Sequence, residues 1–222
     1  MTTLRQTHEP DSLERLRDGG AVAIMRLRDH RRSVEIGHAL ADAGIRVMEI
    51  TLDDPGALAA LRALADALPP DVLLGAGTVR RAEQVRQAAD AGARFCLSPH
   101  CDPAIVEATL EAGLEPVPGV GSATEVARAL DAGARVVKLF PAGPLGVGYM
   151  KALLGPFRGT DFLPTGGIRH DGVAEWLQAG AAAVGLGSDL VPAVPEAADL
   201  EGIAARARVV VEQAALAGRP GG

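Results

Sequence analysis

Short, nearly continuous apolar runs alternate along the chain with segments whose apolar residues recur at helical spacing. The runs occupy residues 21–27, 46–52, 72–79, 94–98, 114–117, 135–140, 161–165 and 181–186. Apolar runs of this length predict parallel strands that are covered on both faces. The pattern therefore predicts a sheet protein in which a helix follows most strands.

Several helix boundaries are marked by particular residues. Asp54 and Asp102 each precede a proline, which places an N-cap directly before a proline in the first helical turn. Ala-Gly pairs between the helical segments and the apolar runs mark helix ends, because glycine readily adopts the left-handed conformation found there. An extra helix is predicted at residues 12–17, before the first strand. The weakest helix, the sixth, is predicted around residues 147–154.

Eight βα units in a chain of 222 residues predict an α/β fold. The expected architecture is a single domain, residues 1–222, that forms a (β/α)₈ TIM barrel with a short N-terminal helix. A doubly wound open sheet is the alternative. It is less favoured because no Gly-x-Gly-x-x-Gly turn follows the first strand, and because polar residues lie at the ends of several different strands.

Charge and composition limit the classes of partner. The formal net charge is −6 and the isoelectric point is about 5.4, which argues against a nucleic acid or a lipid surface as partner. The first 20 residues are polar and lack the apolar core of a signal peptide, and no apolar run is long and uncharged enough to cross a membrane. Cys96 and Cys101 are too few for a disulfide framework. We therefore expect a cytoplasmic protein.

Lysine is rare in this chain, and one lysine has an unusual position. Only Lys138 and Lys151 are lysines among 22 basic residues, and Lys138 lies inside an apolar strand. Burial lowers the pKa of such an amine, so that it is partly neutral and nucleophilic near pH 7. The position predicts a Schiff-base nucleophile acting on a keto acid. A lysine that extends to the barrel rim, or that joins a structural ion pair, is the alternative.

Glu49 is the acid that the predicted barrel places opposite this lysine. The two residues lie in the second and sixth strands, and inward side chains from even-numbered strands share a layer of a barrel. A buried ion pair contributes little to stability, because desolvation offsets much of the attraction. We therefore interpret Glu49 as a proton shuttle for carbinolamine dehydration and carbon–carbon cleavage, with a purely structural pair as the alternative.

Glycine-rich turns end the last two predicted strands. Thr165 ends the seventh strand and is followed by Gly166 and Gly167, and Gly187 and Ser188 follow the eighth strand. Backbone amides in these turns, together with the start of a short helix near Ser188, predict a phosphate site.

Other polar side chains at strand ends are weaker candidates. Thr78 ends the third strand, where its hydroxyl can donate a hydrogen bond to a substrate carboxylate. His100 and Cys101 are close in sequence, but no second cluster with metal-ligand spacing accompanies them. The sequence therefore predicts neither a metal nor a cofactor.

Seven motifs follow one another along the chain: Met48-Glu-Ile-Thr-Leu52, Gly75-Ala-Gly-Thr-Val79, Leu97-Ser-Pro99, Val117-Pro-Gly119, Val137-Lys-Leu-Phe-Pro-Ala142, Thr165-Gly-Gly-Ile168 and Gly185-Leu-Gly-Ser188. In this order they resemble the 2-keto-3-deoxy-6-phosphogluconate aldolase family, which includes the phosphogalactonate and 4-hydroxy-2-oxoglutarate aldolases. The resemblance extends over nearly the whole chain, from residue 21 to about residue 191.

The resemblance implies a class I aldolase that cleaves a 2-keto-3-deoxy-6-phospho sugar acid to pyruvate and glyceraldehyde 3-phosphate, or else cleaves 4-hydroxy-2-oxoglutarate. It also implies a homotrimer, with Lys138 as the Schiff-base lysine and Glu49 as the acid and base. Thr78 is expected near the pyruvyl carboxylate. The other residues that it implies for substrate binding are Pro118, Gly119, Thr165, Gly166, Gly167, Gly187 and Ser188.

One position departs from the phosphogluconate pattern. Asp53 stands where those aldolases carry an arginine, and it would repel a carboxylate. Arg26 ends the neighbouring first strand, in a motif that looks like the phosphogalactonate branch, and we expect it to bind the substrate carboxylate instead.

Two other functions remain as alternatives. A phosphate-binding barrel isomerase or synthase would explain the glycine turns, and so would a non-catalytic ligand-binding barrel. Neither requires a lysine inside the sixth strand opposite a glutamate.

Overall fold

The computed structural model describes residues 11–218, which form strands and helices in alternation. The strands are β1 (Ala21–Met25), β2 (Val47–Thr51), β3 (Leu73–Gly77), β4 (Phe95–Leu97), β5 (Glu115–Val117), β6 (Gly119–Val120), β7 (Val136–Leu139), β8 (Asp161–Pro164) and β9 (Val184–Leu186). The helices are α1 (Ser12–Gly19), α2 (Ser33–Asp42), α3 (Ala57–Ala67), α4 (Ala82–Asp90), α5 (Pro103–Glu111), α6 (Ala123–Asp131), α7 (Ala142–Leu145), α8 (Val147–Leu154), α9 (Val173–Gln178) and α10 (Asp199–Leu216). Within these residues, no helix has both the length and the apolar character needed to cross a membrane.

The strands form two parallel sheets that meet at both edges. One sheet has six strands in the order β5-β4-β3-β2-β1-β9, and the other has the order β6-β7-β8. At one junction the N–H of Lys138 donates to the carbonyl of Pro118 at 2.8 Å. At the other, Thr165 and Gly185 form a parallel bridge. The result is a parallel sheet that curls around a common interior.

A short strand that the sequence did not predict, β6, follows the predicted fifth strand. Pro118 separates β5 from β6, because proline has no N–H to donate to a ladder of strand hydrogen bonds. β5 pairs with β4, whereas β6 pairs with β7. Each of the eight predicted strands contains an observed one, so the apolar runs placed these strands correctly but did not predict β6.

The helix boundaries agree with the sequence in some places and differ in others. α5 begins at Pro103 with Asp102 as its N-cap, as predicted. The predicted start of a helix at Asp54 is wrong, because α3 begins only at Ala57. The carboxylate of Asp54 accepts a hydrogen bond from the N–H of Gly56 at 2.9 Å, which forms a turn before the helix. The weakest predicted helix is present as α8.

α1 covers the end of the interior at which the strands begin. Its Leu13 and Leu16 are buried in one cluster with the strand side chains Val22, Val47, Leu73, Phe95, Leu97, Val117, Val136 and Leu163. Arg17, in the same helix, pairs with Asp161 at 2.6 Å, at the start of β8. Apolar side chains therefore fill one end of the interior, and the polar side chains that end the strands lie at the other.

Candidate active site

Lys138 and Glu49 are buried in the interior enclosed by the strands. Lys138 is the third residue of β7 and is 4% exposed, and Glu49 is the third residue of β2 and is fully buried. Each charge influences the pKa of the other, so the two groups interact electrostatically within this interior. The structure thus brings together the amine and the carboxyl group that the sequence singles out.

Burial is the largest influence on both groups. It lowers the pKa of the Lys138 amine and raises the pKa of the Glu49 carboxyl, because each charged form loses its hydration. Attraction between the two charges opposes both shifts without reversing them. The charge of Arg26 also lowers the pKa of the amine. At a given pH, the neutral amine and the protonated carboxyl group are therefore both more populated than they are for the same groups in water.

Gly77 provides the space that the Glu49 carboxylate occupies. A Cβ added at Gly77 would lie 2.3 Å from Oε1 of Glu49. Both carboxylate oxygens are buried, and neither accepts a hydrogen bond from the residues that the structure describes. A buried, unpaired carboxylate is costly, and such groups are retained where they have a chemical role. Glu49 is thus held by shape and charge, with both oxygens available for proton transfer.

Arg26 belongs to a polar network at the ends of β1, β2 and β3. Its guanidinium pairs with Asp53 through Nη1 and donates through Nη2 to Oγ1 of Thr78 at 2.9 Å. The hydroxyl of Thr51 donates to the second oxygen of Asp53 at 2.7 Å. The arginine on the first strand and the aspartate on the second therefore contact each other directly.

A cavity of about 360 Å³ opens at this end of the strands. Lys138 and Arg26 line it, and the charges of both influence the pKa of Glu49, which does not itself line the cavity. The other predicted site residues that line it are Thr165, Gly166, Gly167, Gly187 and Ser188. A single cavity therefore connects the amine with both glycine turns.

Three predicted substrate-binding residues do not line this cavity. Thr78 reaches it only through its hydrogen bond with Arg26. Pro118 and Gly119 lie beside Lys138 in the neighbouring extended segment: the carbonyl of Pro118 accepts from the N–H of Lys138, and Gly119 is opposite Lys138 in the ladder. Their observed contacts support the backbone of the lysine.

The two glycine turns differ from the sequence prediction in one respect. Gly166 and Gly167 have φ angles of 90° and 77°, a conformation that glycine adopts without strain. The short helix predicted near Ser188 is absent; the N–H of Leu190 donates to the carbonyl of Gly187 at 2.9 Å in a turn. Any anion bound here would meet backbone amides of turns, without the dipole of a helix.

Several lining residues are missing from the sequence prediction, including Phe140, Arg169 and Asp189. The ring centroid of Phe140 is 5.1 Å from Nζ of Lys138. Because alternate residues of a strand share a face, the spacing from Lys138 could have identified Phe140. No comparable signal exists for Arg169 and Asp189, which lie in loops.

A larger concavity of about 990 Å³ lies at the opposite end of the strands, beside α1. Its polar side chains include Asp11, Arg94 and Arg135, and Lys138 does not line it. Within residues 11–218, no three His, Cys, Asp or Glu side chains are grouped in a way that could hold a metal ion. The smaller cavity, which is lined by Lys138 with its lowered pKa, is therefore the candidate active site.

Comparison with known sequences identifies relatives over most of the chain. The family model described as KDPG and KHG aldolase matches residues 13–205. A 2-dehydro-3-deoxy-phosphogluconate aldolase of Treponema pallidum is 42% identical over 184 residues, which cover 82% of this chain and 86% of the relative. A 2-dehydro-3-deoxy-6-phosphogalactonate aldolase of Escherichia coli is 36% identical over 153 residues, which cover 68% and 75% of the two chains.

A solved structure agrees with this assignment. The KDPG aldolase from Legionella pneumophila, with pyruvate captured as a covalent carbinolamine intermediate, is 30% identical and superposes with a TM-score of 0.78. The superposition covers 92% of this chain and 97% of that one. From its sequence motifs, its fold and these relatives, the chain belongs to the KDPG and KHG aldolase family.

Proposed function

We propose that this chain is a class I aldolase that cleaves a 2-keto-3-deoxy-6-phospho sugar acid, of the gluconate or galactonate type, to pyruvate and glyceraldehyde 3-phosphate. The observation that carries the proposal is the buried pair of Lys138 and Glu49, whose pKa values are both displaced toward the neutral forms. Lys138 lines a cavity that also reaches two glycine turns suited to a phosphate.

We also propose a closed barrel as the fold, and the oligomeric state and cellular location follow from the sequence as expectations. The two sheets are taken as parts of one closed (β/α)₈ barrel in a single domain of residues 1–222, and the hydrogen bonds at both sheet edges support this reading. The first ten and last four residues of that domain lie outside the described part. The homotrimer and the cytoplasmic location expected from the sequence remain predictions.

The first half of the reaction forms the Schiff base. The neutral amine of Lys138 attacks the C2 carbonyl of the keto acid, and Glu49 as an acid supplies a proton to the carbonyl oxygen. The carbinolamine then loses water, leaving an iminium that withdraws electrons from C3. This step needs a neutral amine and a protonated acid, the two forms that burial favours.

The second half breaks the C3–C4 bond. Glu49, now a carboxylate, takes the proton of the C4 hydroxyl, directly or through a water. The C3–C4 electron pair moves into the iminium, so the aldehyde leaves and an enamine of pyruvate remains. Protonation of C3 restores the iminium, and water then releases pyruvate and the free amine. A single carboxyl group can serve all of these proton transfers in turn.

The substrate's charges fit the two ends of the cavity. Arg26 binds the carboxylate next to the reacting C2, with Thr78 beside it, and the turns at residues 166–167 and 187–188 bind the phosphate. 4-Hydroxy-2-oxoglutarate is the second candidate, because the matching family model names KHG as well as KDPG aldolase. It has no phosphate, so the comparison of the two substrates measures the contribution of the glycine turns.

Covalent trapping tests the Schiff base. Incubation with pyruvate and borohydride is expected to fix one pyruvyl group on Lys138, because reduction converts the iminium into a stable amine. Peptide mapping by mass spectrometry locates it. Lys151→Arg removes the chain's other lysine and should leave labelling intact, whereas Lys138→Ala should abolish it. Labelling of Lys151, or none at all, would exclude this mechanism. A chelator should leave the activity unchanged.

Filling the space at Gly77 tests whether catalysis depends on the position of the Glu49 carboxyl group. Glu49→Gln should lower kcat by about 10²–10⁴-fold, the usual contribution of general acid–base catalysis. Gly77→Ala should lower kcat by about 10²-fold, because a displacement near 1 Å costs this much. In the Glu49→Gln background, Gly77→Ala should have no further effect on kcat.

The matched control is Gly75→Ala in the same strand. Gly75 pairs with Glu49 in the ladder, but the three atoms nearest to its added Cβ would belong to the ring of Phe95, the first at 2.3 Å, and not to the carboxylate. This variant should lose thermal stability and keep its kcat. Equal losses of kcat at the two glycines, or additive losses in the double variant, would assign Gly77 a purely structural role.

The pairing of Arg26 with Asp53 can be separated from a role in binding. Hydrogen bonds to charged groups contribute roughly 1.5–3 kcal/mol, so Arg26→Ala should lower kcat/KM by about 10–100-fold. Adding Asp53→Ala should not restore it, because the substrate carboxylate still lacks its cation. Steady-state kinetics of both variants decide the question. Recovery of near-normal activity in the double variant would mean that the two residues form only a structural pair.

A further inference from the structure

The phosphate end of the cavity carries a cation that the sequence prediction did not include. Arg169 follows the Gly166-Gly167 turn and lines the same cavity as Gly187 and Ser188. Among the described residues that line it, the cations are Arg26, Lys138 and Arg169. Arg26 is paired with an aspartate at the reactive end, and Lys138 forms the covalent bond. Arg169 is therefore the cation placed to meet the phosphate.

An anion at the same end makes a cation necessary. Asp189 lines the cavity next to Ser188, and its carboxylate accepts a hydrogen bond from the backbone N–H of His170 at 2.6 Å. The ring Nδ1 of His170 lies 2.7 Å from the same oxygen. Burial acts to raise the pKa of Asp189, but these bonds outweigh it and the pKa lies below the ordinary value. A phosphate bound here would face a negative charge.

The ion pair of Arg169 with Asp171 leaves the guanidinium able to bind a ligand. Its Nε and Nη2 donate to Asp171 at 3.0 Å each, and both side chains are exposed, Arg169 by 67%. Exposed pairs of this kind are screened by solvent and weak. The guanidinium has five N–H donors, and it matches the oxygens of a phosphate better than an ammonium group does. Asp171 thus orients the side chain while leaving donors for a ligand.

We propose that Arg169 binds the terminal phosphate of the substrate and determines the preference of this chain for phosphorylated keto acids. The inference rests on the proposed function, whose phosphate end had been assigned to glycine turns alone. In this arrangement the backbone amides fix the position of the phosphate. Arg169 supplies the positive charge that offsets Asp189.

The test compares two substrates with Arg169→Gln. KM for 2-keto-3-deoxy-6-phosphogluconate or its galactonate epimer should rise about 10-fold, which corresponds to roughly 1.4 kcal/mol. The kcat for each substrate should stay within about twofold of the wild-type value. The KM for 4-hydroxy-2-oxoglutarate should also stay within about twofold, because that substrate has no phosphate. Arg169→Lys should recover part of the loss, since it keeps the charge without the fork of donors.

The chain contains a matched control in Arg31. It also pairs with an aspartate two residues away, Asp29, and it is exposed and does not line the cavity. Arg31→Gln should change neither KM. Asp171→Asn removes the competing charge but keeps a side-chain oxygen that can orient the guanidinium, so KM for the phosphorylated substrate should be unchanged or lower.

The outcomes separate this inference from the proposed function. An unchanged KM for the phosphorylated substrate in Arg169→Gln, or equal increases for both substrates, would overturn the role of Arg169 while pyruvate trapping on Lys138 still succeeded. Calorimetric titration with inorganic phosphate needs no catalysis. It should show weaker binding by Arg169→Gln than by the wild type and by Arg31→Gln. Equal phosphate affinity in all three proteins would also overturn the proposal.

Discussion

The removal of one amine and one carboxyl group from water is the constraint on which the rest of this structure depends. Desolvation lowers the pKa of Lys138 and raises that of Glu49, and their mutual attraction offsets only part of this cost. The fold maintains the arrangement by excluding water at one end, where Leu13 and Leu16 of α1 join the interior cluster. At the other end a glycine, Gly77, leaves the carboxylate its space.

The charges of the site are arranged around this buried pair. At the reactive end, Arg26 contacts Asp53 and Thr78, so the cation expected for the carboxylate is already held in place. At the far end, the proposed phosphate contacts combine backbone amides with Arg169, opposite an aspartate fixed by a histidine. In this proposal the covalent chemistry and the recognition of the carboxylate share one end of the cavity, and the recognition of the phosphate takes place at the other end.

The sequence predicted those features that depend on burial alone. Apolar runs located the strands, and a lysine within such a run, in a chain with only two lysines, predicted the buried amine that we propose as the nucleophile. Features that depend on the path of a loop were not predictable: Asp54 forms a turn before α3 instead of a cap, and the segment at Ser188 is a turn instead of a helix. The direction of the Arg169 side chain depends on its own loop, where it pairs with Asp171, and a loop residue gives no periodic pattern in the sequence from which that direction could be predicted.

The pKa of the Lys138 amine tests the account most directly. With lysine labelled by ¹³C at Cε, nuclear magnetic resonance should show two lysine signals, and Lys151→Arg identifies the one that belongs to Lys138. The account predicts a titration midpoint below the ordinary value of about 10.4, with a further decrease in Glu49→Gln, where the stabilising negative charge is gone. A midpoint at or above the ordinary value, unaffected by Glu49→Gln, would contradict it.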